Sequence, residues 1–277
     1  MGLRIAALMA VALLAAGEAQ AAPTSEIVMD SASGRTISAD NADRERPPAS
    51  LTKMMALLLA FEALDAGKLR LSDNVVMTAA GERQPPSRLG LRRGRSIPVR
   101  TALRAIAVIS ANDVAVALGM KLAGTEAAFV RRMNAKAKAI GMQSTRFGNA
   151  TGLEPGAGRS SARDMAILAR YLIRNHADRY DLFSTRSIRW GGATRPSHNK
   201  LLGKVQGVDG LKTGYTVAAG FNLAASARRG ADRVIVVVMG AQTAPARDTR
   251  VANLIELGFA DRKAGRAAST KRARRRK

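Results

Sequence analysis

Along the first third of the chain, apolar positions change their period twice. Glu26 to Asp30 and Thr36 to Ala39 flank a Ser/Gly turn at Ser31 to Gly34, the pattern of a hairpin entering a sheet. After Pro47-Pro48 the spacing becomes helical from about Leu51 to Ala66. Leu51, Met54, Met55, Leu57, Leu58, Phe61 and Leu64 leave this segment apolar nearly all round, which predicts a buried helix with Gly67 at its C-terminal end. Residues 68 to 98 hold no sustained period and contain turns at Pro85-Pro86, Gly90 and Gly94. Helical spacing returns from about Val99 to Ile109, breaks at Ser110-Ala111-Asn112 and resumes from Val114 to Leu122. Gly124 ends that run, and Thr125 caps a helix carrying Phe129, Met133 and Ile140. Ser161-Ala162-Arg163-Asp164 resembles a capping box ahead of Met165 to Ile173. From residue 207 strand character takes over in Val208 to Thr216, Ala219 to Ala227 and Arg233 to Met239, and a last helix is predicted over about Arg247 to Leu257. Strands, helices, strands and a helix in that order predict an α+β fold. Its antiparallel sheet is built from both chain ends and flanked by helices, with a mainly helical lobe.

The N-terminus is read apart from this fold. Arg4 precedes an uninterrupted apolar and small run from Ile5 to Ala16, and Ala19-Gln20-Ala21 supplies a small-x-small cleavage pattern. Residues 1–21 therefore read as a signal peptide, with an uncleaved anchor as the alternative, and the protein is expected in the periplasm or cell envelope. The chain has no cysteine and two histidines, His176 and His198. Thiol nucleophiles are excluded, and a Ser-His-Asp triad or a multi-histidine zinc site has little to draw on. The formal net charge is +24. Arg262 to Lys277 contains nine basic and no acidic residues, so 261–277 reads as a disordered basic tail. Such a charge suits anionic surfaces. Export points to membrane or wall rather than nucleic acid, and an aromatic content of 4% speaks against base stacking.

Three short motifs carry candidate chemistry: Ser50-Leu51-Thr52-Lys53, Ser110-Ala111-Asn112 and Lys212-Thr213-Gly214. At a helix start, Ser50 and Lys53 lie one turn apart on one face, and the helix N-terminus adds positive potential where an oxyanion would form. Each motif also has a plain structural reading: an N-cap with an exposed lysine, an interhelical turn capped by Asn112, and a solvated strand end. Their order and their placement on a helix start, an interhelical turn and a strand favour function. A second Ser-x-x-Lys, Ser197-His198-Asn199-Lys200, sits among Gly191, Gly192 and Pro196 with no helix to hold it in register.

With these motifs the chain resembles the serine D-alanyl-D-alanine carboxypeptidases, the low-molecular-mass penicillin-binding proteins. The match includes Ala49-Ser50-Leu51-Thr52-Lys53, Pro86-Ser87-Arg88-Leu89-Gly90-Leu91, Phe147-Gly148-Asn149-Ala150-Thr151-Gly152-Leu153 and Gly207-Val208-Asp209-Gly210-Leu211-Lys212-Thr213-Gly214-Tyr215-Thr216, and covers about residues 25 to 258. It implies a DD-peptidase/β-lactamase-like fold, with a catalytic domain over 22–260. Ser50 is then the nucleophile, Lys53 its neutral base and Ser110 a proton relay. Asn112 holds the substrate amide, and Lys212 and Thr213 bind the terminal carboxylate beside Gly214. The backbone N–H groups of Ser50 and Tyr215 form the oxyanion hole. The implied substrate is the peptidoglycan stem peptide, β-lactam antibiotics are the implied covalent inhibitors, and no metal or cofactor is called for. A DD-endopeptidase would share all three motifs. A β-lactamase would need a water-holding carboxylate, for which Glu154 is the nearest by position. A wall-binding protein without catalysis would have no need of the Ser50–Lys53 pair.

Overall fold

A computed structural model describes residues 24–274; the signal-peptide reading lies outside the described residues. β1 (Ser25–Asp30) and β2 (Thr36–Asp40) form the expected hairpin. A single 3₁₀ turn (Ala49–Thr52) then leads into α1 (Lys53–Asp65). The helical lobe follows: β3 (Asn74–Val76), α2 (Ala79–Glu82), β4 (Ser96–Pro98), α3 (Val99–Ile109), α4 (Asn112–Ala123), α5 (Glu126–Ala139), β5 (Arg146–Phe147), β6 (Gly158–Arg159) and α6 (Ala162–Asn175). A ribbon of β7 (Ser187–Trp190) and β8 (Ala193–Pro196) precedes the long strands β9 (Val208–Thr216), β10 (Gly220–Arg229) and β11 (Asp232–Ala241), and α7 (Ala244–Arg274) closes the chain.

The main sheet runs β2-β1-β11-β10-β9, with every neighbouring pair antiparallel, so the two chain ends do build one sheet. β11 explains why the C-terminal strands read as continuous apolar runs rather than alternating ones. Ile235, Val237 and Met239 face the helical lobe with Ile27 and Met29, while Val234, Val236 and Val238 face α7 through Val251, Leu254 and Ile255. Both faces are covered, so both side-chain sets must be apolar. β9 is left as an edge strand, with one side of its backbone free of sheet partners.

α1 is the axis of the lobe. Leu51, Met54, Met55, Leu57, Leu58 and Phe61 are all buried, as the pattern predicts. Gly67 adopts φ +66° just past the helix and its N–H returns to Leu64 O at 3.1 Å, a left-handed C-terminal stop that suits glycine.

Several expectations are corrected. The Ser161 hydroxyl accepts from Asp164 N–H at 3.1 Å, but Asp164 does not reciprocate as a capping box requires. Its carboxylate instead accepts from Gln143 N, Ser144 N and the Thr145 hydroxyl, tying the α5–β5 connection to the α6 start. His176 is buried at the end of α6 with its ring 5.6 Å from that of Phe61. Its Nδ1 lies 2.9 Å from Asp65 Oδ2, off the line of a hydrogen bond. The last helix runs well past Leu257, so the segment expected to be disordered from Asp261 begins as helical backbone. Arg262 is held against the ends of β1 and β11 by ion pairs to Asp30 and Asp232.

Asp164→Ala would remove the acceptor of three partly buried donors and is expected to lower stability by about 1–3 kcal/mol. Urea unfolding checks this as a shifted midpoint at constant slope; a midpoint at the wild-type value would contradict it.

Candidate active site

The chain reaches Ser50 through Pro47-Pro48 and then through Ala49, which is held at φ +48° in the left-handed region. A non-glycine residue there costs about 1–3 kcal/mol, so neighbouring contacts must fix it. Asn222 on β10 donates Nδ2 to Pro47 O and Pro48 O at 3.1 and 3.2 Å and accepts from Gly240 N at 2.8 Å. The segment before Ser50 is thus anchored to neighbouring ends of β10 and β11. Gly214 on β9 brings the edge strand against the same segment: a Cβ there would sit 3.0 Å from Ser50 N and 3.1 Å from Pro48 O. Glycine at this position allows strand and serine backbone to come together.

Ser50 lies in the 3₁₀ turn and α1 begins at Lys53, so the three-residue spacing aligns the two side chains. Lys53 Nζ donates to Ser50 Oγ at 2.7 Å and to Thr151 O at 2.9 Å. Thr151 is set by Asn149, whose Oδ1 accepts from Thr151 N at 3.1 Å and Gly152 N at 2.7 Å. Lys53 has no solvent exposure, and no carboxylate pairs with it among the described residues. Burial first, and the Lys212 charge second, hold its amine well below the usual lysine range.

Lys212 is the second buried amine. Its Nζ donates to Thr213 O at 2.8 Å, and burial, followed by the Arg247 charge, pushes it down to about 7. On the opposite wall, Ser110 caps α3 at φ +59°, a strained conformation for serine. The next turn is secured to the 85–90 loop. Asn112 N donates to Ser87 O at 2.8 Å, Asn112 Nδ2 donates to Pro85 O at 2.9 Å, and the Asp113 carboxylate accepts from Leu89 N and Gly90 N. Ser110 Oγ and Asn112 Oδ1 remain buried without a hydrogen-bond partner. Both atoms therefore have hydrogen-bonding capacity that the chain itself does not use.

These elements enclose a cleft of about 380 Å³ lined by Ser50, Ser110, Asn112, Thr213, Gly214 and Tyr215, with Lys53 beneath Ser50 and Lys212 beneath Thr213. All eight sequence-selected residues therefore converge on one region. Tyr215 is half exposed and stacks on Phe221 at 4.2 Å between ring centroids. Ser197 of the second Ser-x-x-Lys accepts from Asn199 N within its own turn, whereas His198 and Lys200 reach the cleft rim. Partial burial and the charges of Lys212, Lys200 and Lys53 push the His198 imidazole down to about 4. Glu154 is exposed and does not line the cleft.

Sequence reasoning missed Arg247, which enters the cleft from the first turn of α7. It is almost fully buried, donates Nη1 to Asn222 O at 3.4 Å and pairs with Asp248 at 2.7 Å. Asn222 and Asn149 were missed as well. Each is one polar residue in an otherwise ordinary strand or loop, so nothing local distinguishes it.

The comparisons with known proteins agree with this architecture. The sequence pattern of the D-alanyl-D-alanine carboxypeptidase family, peptidase family S11, matches residues 12–243. The D-alanyl-D-alanine carboxypeptidase DacD of Salmonella typhimurium is 37% identical over 239 residues, covering 84% of this chain and 61% of its own length. DacF of Bacillus subtilis is 36% identical over 243 residues, covering 85% and 61%. Penicillin binding protein 6B from Escherichia coli superposes with a TM-score of 0.80 at 37% identity, over 85% of this chain and 76% of that one. Penicillin-Binding Protein D2 from Listeria monocytogenes, in the ampicillin bound form, gives 0.78 at 35%, over 85% and 96%. The chain thus spans 61% of the length of the two curated relatives. With a five-stranded antiparallel sheet, a helical lobe and the family pattern over most of its length, the chain belongs to the D-alanyl-D-alanine carboxypeptidase family.

Proposed function

We propose that the chain is a serine D-alanyl-D-alanine carboxypeptidase that removes the terminal D-alanine from peptidoglycan stem peptides through an acyl-enzyme on Ser50. The observation that carries this reading is the 2.7 Å contact between a fully buried, pKa-depressed lysine amine and the Ser50 hydroxyl. Such an amine is suited to act as a base, and the Ser50 hydroxyl lies within hydrogen-bond reach of it for proton transfer.

Lys53 Nζ takes the Ser50 proton as Oγ bonds to the scissile carbonyl carbon. The oxyanion lies against the N–H groups of Ser50 and Tyr215, each worth about 2.7–4 kcal/mol in sites of this kind. The C–N bond then breaks, and the proton passes by way of Ser110 Oγ to the leaving D-alanine amine. Water repeats the sequence on the acyl-enzyme. Asn112 supports this with an unpartnered Oδ1 for a substrate amide N–H, since its Nδ2 is already committed to Pro85 O. The terminal carboxylate is received by Thr213, Lys212 and Arg247; its arrival favours the protonated form of Lys212, which burial and Arg247 oppose in the free cleft. Neither base nor relay calls for a metal or cofactor.

The Ile5 to Ala16 run and Ala19-Gln20-Ala21 support export to the periplasm or envelope. No helix among the described residues is long and apolar enough to cross a membrane. The basic segment after Asp261, with nine Lys and Arg from Arg262 onwards, supports salt-sensitive contact with anionic membrane or wall. The family relation to the Listeria protein in its ampicillin-bound form supports β-lactams as covalent inhibitors here.

Labelling with a fluorescent penicillin followed by peptide mass mapping is expected to place the adduct on Ser50. Lys53→Met is expected to slow acylation by about 10²- to 10⁴-fold. An adduct on another residue, or undiminished acylation of the lysine variant, would overturn the mechanism. Arg247→Ala is expected to lower kcat/KM for a D-alanyl-D-alanine peptide by about 10- to 100-fold, as loss of a charge-assisted carboxylate contact. A loss below about twofold would remove Arg247 from the carboxylate site.

A further inference from the structure

A second groove opens from the cleft. It has a volume of about 340 Å³ and shares Pro86, Ser87, His198 and Lys200 with the cleft, but none of the residues around Lys212 and Arg247. Arg88 and Arg195 stand in it with Lys200, and no acidic side chain lines it. Among the described residues none of these three cations has an ion-pair partner, whereas Arg233, Arg247, Arg250 and Arg262 each pair with a carboxylate. Arg195 donates Nη1 to Arg88 O at 3.1 Å, which joins the β8 ribbon to the loop carrying Arg88 and sets two guanidiniums in one groove. Three like charges beside a cleft repel one another, and the arrangement is relieved when an anion settles among them.

We propose that this groove receives a carboxylate carried by the peptide on the acyl side of the scissile bond, so that the enzyme favours stem peptides with a free carboxylate over those in which it is a carboxamide. The inference rests on the carboxypeptidase reading above. If Thr213, Lys212 and Arg247 hold the terminal carboxylate, the departing group is a single D-alanine that lies wholly at that end of the cleft. Whatever extends into a groove that excludes those residues is the N-terminal remainder of the substrate. Guanidinium groups suit a planar, two-oxygen acceptor, and they discriminate against a carboxamide because its NH₂ presents hydrogens where they need a lone pair.

The test uses the full chain and two synthetic peptides ending in D-alanyl-D-alanine, identical except for a free carboxylate or a carboxamide on the third residue from the N-terminus. D-alanine release is measured for both. The expected result is kcat/KM about tenfold higher for the carboxylate peptide at low ionic strength. The ratio should shrink in high salt, because the contact is partly exposed. Arg88→Gln combined with Arg195→Gln should bring the ratio to within about twofold of one. Reading a ratio on one preparation removes any dependence on the fraction folded. Equal wild-type rates for the two peptides, or a preference that survives the double substitution, would overturn the groove assignment while leaving the carboxypeptidase reading intact. Absence of D-alanine release from both peptides would instead sink that reading and this inference with it.

Discussion

A lysine amine sealed beneath a serine hydroxyl, its pKa pressed well below the usual lysine range by burial, is the interaction on which the rest of the molecule depends. A lysine in water holds its proton to about pH 10.4, and as a cation it could not act as a base. Lys53 holds its proton less firmly because it has no solvent exposure, has no carboxylate partner among the described residues and sits near a second amine. Burial of this kind needs an apolar wall with no gaps, and α1 provides it with side chains buried on nearly every face. The all-round hydrophobicity of α1 is therefore both the centre of the core and the source of the basicity at its N-terminal end. The two hydrogen bonds from Lys53 Nζ keep the amine in place without requiring a positive charge.

The surrounding backbone is arranged to hold strained positions. Ala49 and Ser110, both non-glycine residues at positive φ, flank the cleft, and each is fixed by contacts from a distant part of the chain. For Ala49 the support comes from Asn222 through Pro47 and Pro48; for Ser110 it comes from the neighbouring Asn112 and Asp113 bonds to the 85–90 loop. Rigid placement of this kind leaves little motion to be frozen when a substrate arrives. The charge pattern follows the same division. Acidic groups are committed to ion pairs around the sheet, as with Glu26 and Arg250 or Asp209 and Arg233, while the cleft keeps its amines without carboxylate partners apart from the Arg247–Asp248 pair.

Much of this was legible in the sequence where a physical pattern was long enough to repeat. α1 could be read because ten of its thirteen helical residues are apolar, and β9 to β11 because both sheet faces demand β-branched and small residues. The left-handed Ser110 break was visible as an interruption between two helical runs. Ribbons as short as β3 and β4 were not legible, since each buries a single side chain, Val75 or Ile97, and no period can be built on one position. The burial of His176 was not legible because it depends on Phe61, more than a hundred residues away along the chain. Arg247 read as an ordinary polar residue opening a helix; its place in the cleft is set by how α7 crosses the sheet, which no local pattern encodes.

The protonation state of Lys53 tests the central claim most directly. With lysine side chains carrying a ¹³C label at Cε, and with a Lys53→Arg variant to assign the signal, a pH titration by NMR resolves one buried amine from the exposed ones. The account predicts that the Lys53 signal is already that of the neutral form at pH 7.5, when the exposed lysines are charged, and that it gains its proton only at lower pH. A Lys53 signal that titrates together with the exposed lysines, near pH 10.4, would contradict it.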